Sequence, residues 1–190
     1  MRRFRKVSEW LLTLAALLVL AVVVVWLEKR NPVHLNGYAQ VVDGDSLIIN
    51  GERLRLQGID APEFDQSCLV SGRASPCGQH ARNALRKLVG RGQVACTAHS
   101  VDRHDRWLAT CTAGDININQ SLVEQGWAVD YGGYAKSEAK ARQRKLGLWQ
   151  GTFQRPRDWR ALRKGLLVDA EEEASLVQTI WWRIRGFKLN

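Results

Sequence analysis

The chain has 190 residues, a hydrophobic fraction of 45% and a formal net charge of +9. This length supports one ordinary domain with appendages and excludes a set of several large domains, and the hydrophobic fraction excludes an unfolded polar polymer. Residues 36–166 hold nineteen basic and thirteen acidic side chains. That excess suits a polyanionic ligand, although a modest positive charge also serves solubility alone.

An apolar stretch near the amino terminus predicts a membrane anchor. Between Trp10 and Trp26 the only polar residue is Thr13, and a helix needs roughly 17–25 apolar residues to cross a bilayer. The basic segment 1–9 precedes this stretch, and positive residues stay on the cytoplasmic side. We therefore expect residues 10–27 to form a single-pass anchor in the inner or cytoplasmic membrane, with a cytoplasmic amino terminus and a periplasmic or extracellular domain.

A cleaved signal peptide is the alternative interpretation, and it would make the protein secreted. Cleavage requires small residues after the apolar core, whereas the sequence there is Val-Val-Val-Val-Trp-Leu-Glu-Lys-Arg. This composition favours an uncleaved anchor. Residues 28–35 are polar, contain a proline and are predicted to link the anchor to a folded domain at 36–166.

Three short strands are predicted at the start of this domain. Residues 37–42, 46–49 and 53–59 alternate or run apolar. Asn50-Gly51 separates the last two runs and favours a tight hairpin, because both turn positions need a positive φ. Alternation places Leu54 and Leu56 on one face of the third strand and Arg55 on the other.

The remaining pattern predicts helices and a second pair of strands. Helices are expected at 79–89, from Asn117 or Asn119 to about 125, and at 134–146, and strands at 94–98 and 107–112. This order predicts an α+β, mainly β, fold: a five-stranded OB-type barrel with three packed helices. The transmembrane helix precedes this barrel, and a helical tail follows it.

The tail, residues 167–190, has the pattern of an amphipathic helix. Its acidic residues lie at the start and its arginines near the end, which complements the helix dipole. Docking on the domain is one interpretation. Contact with a membrane surface or a partner through Trp181 and Trp182 is the other.

The four cysteines, Cys68, Cys77, Cys96 and Cys111, fit an oxidising compartment. An even number suggests disulfides, and no Cys-x-x-Cys pair or ligand-spaced set of histidines indicates zinc. Sequence proximity favours Cys68–Cys77 and Cys96–Cys111 among three possible pairings. Reduced, buried cysteines are the alternative if the domain is cytosolic.

Acidic residues crowd the ends of the predicted hairpin. Asp45 and Asp60 offer hard oxygen ligands for Ca²⁺ or Mg²⁺, and Asp43 is close by in the sequence. Glu63 follows, and a carboxylate there can orient or deprotonate a water molecule. Read separately, each of these motifs also has a simpler explanation as a turn or loop.

Two arginines complete a possible phosphate clamp. Arg55 lies in the hairpin, and Arg106 lies in the charged loop 102–106. A cation and two guanidinium groups can hold a phosphoryl group and take up the charge that grows in its transition state. The combination predicts a site that cleaves phosphodiester bonds.

Several blocks together resemble the staphylococcal-nuclease-like, or thermonuclease, family. Three of them are Asp-Gly-Asp-Ser from Asp43, Arg-Leu-Gln-Gly-Ile-Asp-Ala-Pro-Glu from Arg55, and Asp-Arg-His-Asp-Arg-Trp-Leu-Ala from Asp102. Residues 119–128 and 147–149 resemble the helical blocks that follow. The resemblance covers about residues 36–160 with the blocks in the family's order.

The resemblance implies a Ca²⁺-dependent endonuclease, with Mg²⁺ possible, which cleaves DNA and/or RNA to 3′-phosphate products without an organic cofactor. It assigns metal ligation to Asp45, Asp60 and the backbone carbonyl of Ala61, an outer-shell position to Asp43, the attacking water to Glu63, and phosphate binding to Arg55 and Arg106.

One block departs from the family pattern. His104 and Asp105 stand where the family usually has an aromatic residue and a glycine. Tyr131 and Tyr134 are then candidates for base stacking, worth roughly 1–3 kcal/mol per base, unless they pack around the third helix. Arg103 and His104 are further candidates for substrate contact.

Two functions are compatible with these residues. The first is a membrane-anchored nuclease, and the second is a nucleic-acid-binding module on the same barrel without catalysis. Retention of the complete set of carboxylates and arginines favours the nuclease. A scaffold function would leave that set unexplained.

Overall fold

The computed structural model of the protein describes residue 10 and residues 13–24 and 31–165. Residues 13–24 are helical, and their leucines and valines are exposed. Within the described residues, no helix combines the length and the apolar character that a membrane span requires. Residues 11–12 and 25–27 of the predicted anchor, the basic segment 1–9 and the predicted tail 167–190 lie outside the described residues.

The domain consists of short strands and helices that follow one another closely. The strands are β1 (Val33–Asp43), β2 (Ser46–Ile49), β3 (Glu52–Leu56), β4 (Ile59–Asp60), β5 (Cys68–Val70), β6 (Arg73–Ser75), β7 (Gln93–Val101), β8 (Trp107–Ala113), β9 (Ile116–Asn117) and β10 (Val129–Asp130). The helices are α1 (Cys77–Val89), α2 (Ile118–Glu124), α3 (Ala135–Gln143), a 3₁₀ helix (Gly147–Gln150) and α4 (156–165).

Five of the strands close into a barrel. β1 pairs antiparallel with β2 and β7, β2 pairs with β3 and β7 with β8 in the same way, and a parallel pairing of β3 with β8 completes the closure. Closure leaves no free sheet edge among these strands. The predicted five-stranded barrel is confirmed.

The hairpin between β2 and β3 has the predicted turn and facing. Asn50 and Gly51 have φ values of 53° and 86°, as a type I′ turn requires. Leu54 and Leu56 are buried in the barrel core, whereas Arg55 between them is only partly buried. The hydrophobic alternation therefore directs Arg55 away from the core and towards the outer face.

The helices cover the barrel as their apolar residues predict. α1 buries Ala81, Ala84 and Leu85 against the barrel core. α2 begins after Asn117, whose side chain accepts a hydrogen bond from the backbone nitrogen of Gln120. This contact satisfies one of the free donors of the first helical turn and selects Asn117 as the cap.

The structure corrects several boundaries. β1 begins at Val33, so part of the predicted linker 28–35 is strand, because its residues pair with β7. α3 is shorter than the predicted 134–146, since Lys145 has a φ of 53° and cannot continue the helix. Residues 65–76, where no strand was predicted, contain the hairpin β5–β6. Helix α4 was not predicted, although Pro156 at its first position is a typical start signal.

Both disulfides have the pairing that sequence proximity favours. Cys68 bonds to Cys77 and Cys96 to Cys111, with Cα–Cα distances of 5.8 and 4.1 Å. Cys96 and Cys111 are direct partners in the register of β7 and β8. The Cys68–Cys77 bond instead ties β5 to the start of α1, next to the loop after β4.

Candidate active site

Strand register brings the carboxylates of distant blocks to one end of the barrel. Ser46 pairs with Arg55 across β2 and β3, and the backbone nitrogen of Leu56 donates to the carbonyl of Asp45 at 2.8 Å. Asp60 is held by β4, which pairs with β10 through Val129. The turn before β2 and the end of β4 therefore meet beside Arg55.

Arg55 joins Asp45 and Asp60, the two acidic residues to which the family resemblance assigns metal ligation. Its Nη2 lies 2.8 Å from Oδ2 of Asp45 and 2.7 Å from Oδ1 of Asp60. Asp60 has only 3% of its side chain exposed, and Asp45 8%. Two nearly buried carboxylates thus share one guanidinium nitrogen, so their oxygens cannot be further apart than the sum of those two distances.

Burial raises the proton affinity of the neighbouring acids. Desolvation raises the pKa of Asp45 despite the opposing charge of Arg55 and a hydrogen bond from Ser46. Desolvation also raises the pKa of Asp43, against a hydrogen bond from the backbone of Gly44. Buried carboxylates that lie close together are stabilised by a nearby cation.

A third arginine, Arg160 of α4, completes the cluster and was not identified from the sequence. Its Nη1 lies 2.8 Å from Oε1 of Glu63, and its Nη2 lies 3.0 Å from Oδ2 of Asp60. Burial disfavours its charge, but hydrogen bonds to Asp60 and Glu63 outweigh that effect and raise its pKa. No motif pointed to Arg160, because it lies about one hundred residues from its partner Asp60.

Arg106 is held at the site by the acidic residue at the start of its own loop. Its Nε and Nη2 lie 2.9 and 2.6 Å from Oδ2 of Asp102, and its Nη1 lies 3.4 Å from the hydroxyl of Ser46. Burial tends to raise the pKa of Asp102, but hydrogen bonds from Arg106 and His104 lower it to about 2. Asp102 therefore stays ionised and fixes the guanidinium.

These side chains line one open cavity of about 950 Å³. All predicted metal-site and catalytic residues border it, together with Arg160 and the predicted substrate contacts Arg103, His104 and Tyr131. Tyr131 is largely exposed there. Tyr134 does not line this cavity, because its ring packs against the barrel core and close to Gly58. Of the two tyrosines, Tyr131 therefore borders the cavity and Tyr134 does not.

The donor chemistry at the cavity fits a hard divalent cation, although no complete cage is formed. Within the described part of the chain, no group of three or more His, Cys, Asp or Glu side chains has the arrangement of a metal site. Asp45 and Asp60 nevertheless converge on one nitrogen, and Ala61 follows Asp60 on the cavity wall. Oxygen ligands of this kind suit Ca²⁺ or Mg²⁺ with water in the remaining positions.

The barrel and the arginine–carboxylate cavity define a nuclease-like OB fold. The family model described as "Staphylococcal nuclease homologue" matches residues 53–151, which is more than half of the chain. The protein therefore belongs to the staphylococcal nuclease homologue family. The matched range includes Arg55, Asp60, Glu63 and Arg106, whereas Asp45 precedes it and Arg160 follows it.

Individual relatives differ in name and in the share of the chain that they match. Succinoglycan biosynthesis protein ExoI of Rhizobium meliloti is 35% identical over 122 residues, covering 60% of this chain and 64% of ExoI. Probable staphylococcal-like nuclease CAN3 of Oryza sativa is 29% identical over 133 residues, covering 66% and 33%. Protein ParB of Escherichia coli is 32% identical over 161 residues, covering 72% and 83%. The chain thus spans less than two thirds of ExoI and CAN3.

Proposed function

We propose that the protein is a metal-dependent endonuclease that hydrolyses phosphodiester bonds of DNA and/or RNA and leaves 3′-phosphate ends. One observation carries the proposal: carboxylates and arginines from separate parts of the chain border the same cavity, and they include Asp45, Asp60, Glu63, Arg55, Arg106 and Arg160. Family membership and the nuclease named among the relatives support the same activity. The product end follows from the family resemblance of the motif blocks.

The arginines are suited to hold the scissile phosphate. Arg106 is oriented by Asp102 and reaches Ser46 at the cavity wall, and Arg55 is fixed by two carboxylates. A guanidinium group held in advance of binding, as Asp102 holds that of Arg106, stabilises the charge on the phosphoryl oxygens without reorganisation. We assign both arginines to phosphate binding and transition-state stabilisation.

Glu63 is the candidate group for activating the attacking water. Arg160 holds its Oε1, and among the described residues no hydrogen bond occupies its Oε2. Its side chain is about 30% exposed to the cavity, so a water molecule can reach it. We assign Glu63 to orienting that water and accepting its proton.

Asp45, Asp60 and the carbonyl of Ala61 would hold the metal, with Asp43 outside the first shell. A bound Ca²⁺ would polarise the phosphoryl oxygen and lower the pKa of nearby water, which is the Lewis-acid chemistry of such ions. Binding there would require Asp45 and Asp60 to exchange part of their contact with Arg55 and Arg160. The metal and the arginines are therefore competitors for the same oxygens.

A nucleic-acid-binding module without catalysis is the second candidate. The names of ExoI and ParB contain no reference to a nuclease, which is the observation that favours it. A pure binding role needs the basic surface and Tyr131 but leaves the buried pair of Asp45 and Asp60 unexplained, since taking carboxylates out of water costs free energy that pairing with an arginine only partly offsets.

We further propose that residues 10–27 anchor the domain to the inner or cytoplasmic membrane. The apolar run of the sequence supports this, as do the exposed leucines and valines of the helix 13–24. Two disulfides in one domain support a location in the periplasm or outside the cell. Protease added to cells with a permeabilised outer layer should degrade the domain, and complete protection would contradict this orientation.

A chelator-controlled cleavage assay tests the enzymatic proposal. The purified full chain is incubated with supercoiled plasmid and, in parallel, with single-stranded RNA, in EDTA and then with excess Ca²⁺ or Mg²⁺. Nicking should stop in EDTA and return with the metal, and Glu63→Gln should abolish it while oligonucleotide binding persists. Binding without cleavage in the wild-type protein under every metal condition would favour the binding module instead.

A further inference from the structure

Helix α1 and the turn after it carry cations that the proposed catalytic site does not use. Arg82, Arg86 and Lys87 lie within α1 and Arg91 follows it, while the helix contains no acidic residue. None of these four side chains forms a salt bridge within the described residues. The three arginines at the carboxylate cluster, in contrast, are all paired. Unpaired charges on a rigid helix are available to an anionic partner.

A groove between α1 and β1 is lined by two of these cations. Arg82, Arg86 and Gln40 are among its lining residues, and its volume is about 290 Å³. Arg82 lies over the ring of Phe64, with 5.2 Å between its Cζ and the ring centroid. Phe64 directly follows Glu63 of the cavity wall, so Arg82 lies between the groove and the loop that carries Glu63.

A second cleft begins at Arg86 and lies beside the groove. It is lined by polar and aromatic side chains and has a volume of about 420 Å³, with His80, Asn83, Arg86, Lys87, Gln125 and Trp127 in its wall. The rings of His80 and Trp127 are in contact, with centroids 5.5 Å apart. Trp127 packs against both apolar clusters of the domain, so one ring of this pair is rigidly held.

The composition of this cleft matches the chemistry of one nucleotide. An aromatic pair offers a stacking surface that accepts any base. Amide side chains such as those of Asn83 and Gln125 can bond to base edges, and Arg86 and Lys87 can pair with the flanking phosphates. Bases in a duplex are already stacked, so a single strand fits this arrangement better.

We propose that the His80–Trp127 cleft and the unpaired cations of α1 form a secondary binding track for single-stranded nucleic acid. One nucleotide occupies the cleft, and the strand continues past Arg86 and Arg82 to the phosphate at the catalytic cavity. The inference rests on the proposed nuclease function, because it extends the path of the same substrate. The track predicts a higher affinity for long strands than for short ones.

Binding measurements in EDTA test the track without cleavage. The full chain is titrated against dye-labelled single strands of about 4 and about 16 nucleotides, a range typical of OB folds. For Arg86→Ala/Lys87→Ala, the affinity for the long strand should fall on the order of tenfold. The slope of log K against log salt concentration should also become shallower by about 1.4, because each lost phosphate contact accounts for about 0.7. The affinity for the short strand should change much less.

Arg73→Ala/Arg144→Ala is the matched control. It also removes two exposed arginines without salt bridges in the described residues, and neither residue lines a described cleft. His80→Ala adds a test of stacking: it should weaken binding of a normal long strand but not of an abasic strand of equal length. Circular dichroism and urea unfolding of each variant would show whether the fold is retained.

The outcomes separate this inference from the proposed function. If the wild-type protein cleaves nucleic acid but Arg86→Ala/Lys87→Ala and the control have equal affinities and equal salt slopes, the track is wrong and the nuclease stands. If anionic lipid vesicles, and not oligonucleotides, distinguish the two double variants, the α1 surface binds membranes and the track is again wrong. Absence of cleavage in the wild-type protein, with a length-dependent affinity that requires Arg86 and Lys87, contradicts only the nuclease.

Discussion

Arg160 and Glu63 form an ion pair of 2.8 Å that links helix α4 to the loop after β4. The same guanidinium contacts Asp60, so one cation from beyond the matched family range lies against a proposed metal ligand and the proposed base. The neighbouring Arg163 pairs with Asp65 of the same loop. Helix α4 therefore positions the loop that carries Glu63. It also neutralises the carboxylates that would attract a metal ion.

The first prediction is that removing Arg160 increases metal affinity. In Arg160→Ala, Asp60 and Glu63 lose a competing cation, so the dissociation constant for Ca²⁺ measured by calorimetry should fall on the order of tenfold, equivalent to about 1.4 kcal/mol. Arg163→Ala is the control, because it removes a contact of α4 with the loop but leaves both carboxylates paired. Equal or weaker Ca²⁺ binding by Arg160→Ala would show that Arg160 supports the metal site and does not compete for it.

The second prediction concerns the guanidinium that the two buried carboxylates share. Without Arg55, Asp45 and Asp60 retain their burial but lose a common partner, so Arg55→Ala should destabilise the fold in EDTA by about 3 kcal/mol. Urea unfolding in EDTA and in Ca²⁺ measures this, and Ca²⁺ should restore part of the loss. Arg53→Ala, on the same strand and without a salt bridge in the described residues, should change stability by less than about 0.5 kcal/mol.

Arg55→Ala could lower the free energy of unfolding by the expected amount without any recovery in Ca²⁺. That result would mean that Asp45 and Asp60 do not bind the metal. The pair would then have a structural role only. An effect no larger than that of Arg53→Ala would contradict the burial of an ionised pair at this position.

The third prediction is a pH dependence centred on Asp102. Its folded pKa of about 2 lies below its ordinary value of 3.8. The hydrogen bonds to Arg106 therefore contribute stability that is fully present above about pH 3.8, and this contribution is lost as the pH falls through about 2. The free-energy difference between the wild-type protein and Asp102→Asn should be largest at pH 5 and shrink towards pH 2. Urea midpoints at both pH values measure it, and a constant difference would contradict the ionised pair.

The sequence predicted the barrel and many of the residues that line the cavity, because both predictions depend on local signals. Asn50-Gly51 determined the hairpin, and alternation around Leu54 and Leu56 determined which side of the strand Arg55 occupies. The motif blocks then indicated which carboxylates belong together. None of these predictions depended on knowing the contacts between distant segments of the chain.

Contacts between distant segments account for what was missed. Arg160 reaches Glu63 across ninety-seven residues of sequence, and no periodicity or spacing reports such a contact. The start of β1 was placed too late because Val33 and His34 are strand residues through their pairing with β7 rather than through an apolar pattern. The sequence left Tyr134 with two interpretations, base stacking or packing, and its packing against the barrel core follows from the fold and not from a local pattern.

The fourth prediction concerns catalysis by Arg106. If its guanidinium stabilises charge in the transition state, Arg106→Ala should lower kcat by about 10²–10³-fold with a smaller change in KM. Arg106→Lys should recover only part of the loss, because an ammonium group cannot keep the contacts with both Asp102 and Ser46. Steady-state cleavage of a labelled oligonucleotide measures both constants. A rise in KM at unchanged kcat would assign Arg106 to binding alone.

The fifth prediction tests the contact between two helical blocks at Gly126 and Gly147. Gly147 has a φ of 55°, and a Cβ there would lie 2.4 Å from the carbonyl oxygen of Gly126, which accepts a hydrogen bond from Leu148 at 2.9 Å. Gly147→Ala should therefore destabilise the fold by about 3 kcal/mol, through backbone strain and steric overlap together. Gly72 is a matched position, since its φ is 75° and no atom lies within 4 Å of an added Cβ. Gly72→Ala should cost only the strain, about 1 kcal/mol, and equal losses for the two variants in urea unfolding would show that the close contact has no energetic weight.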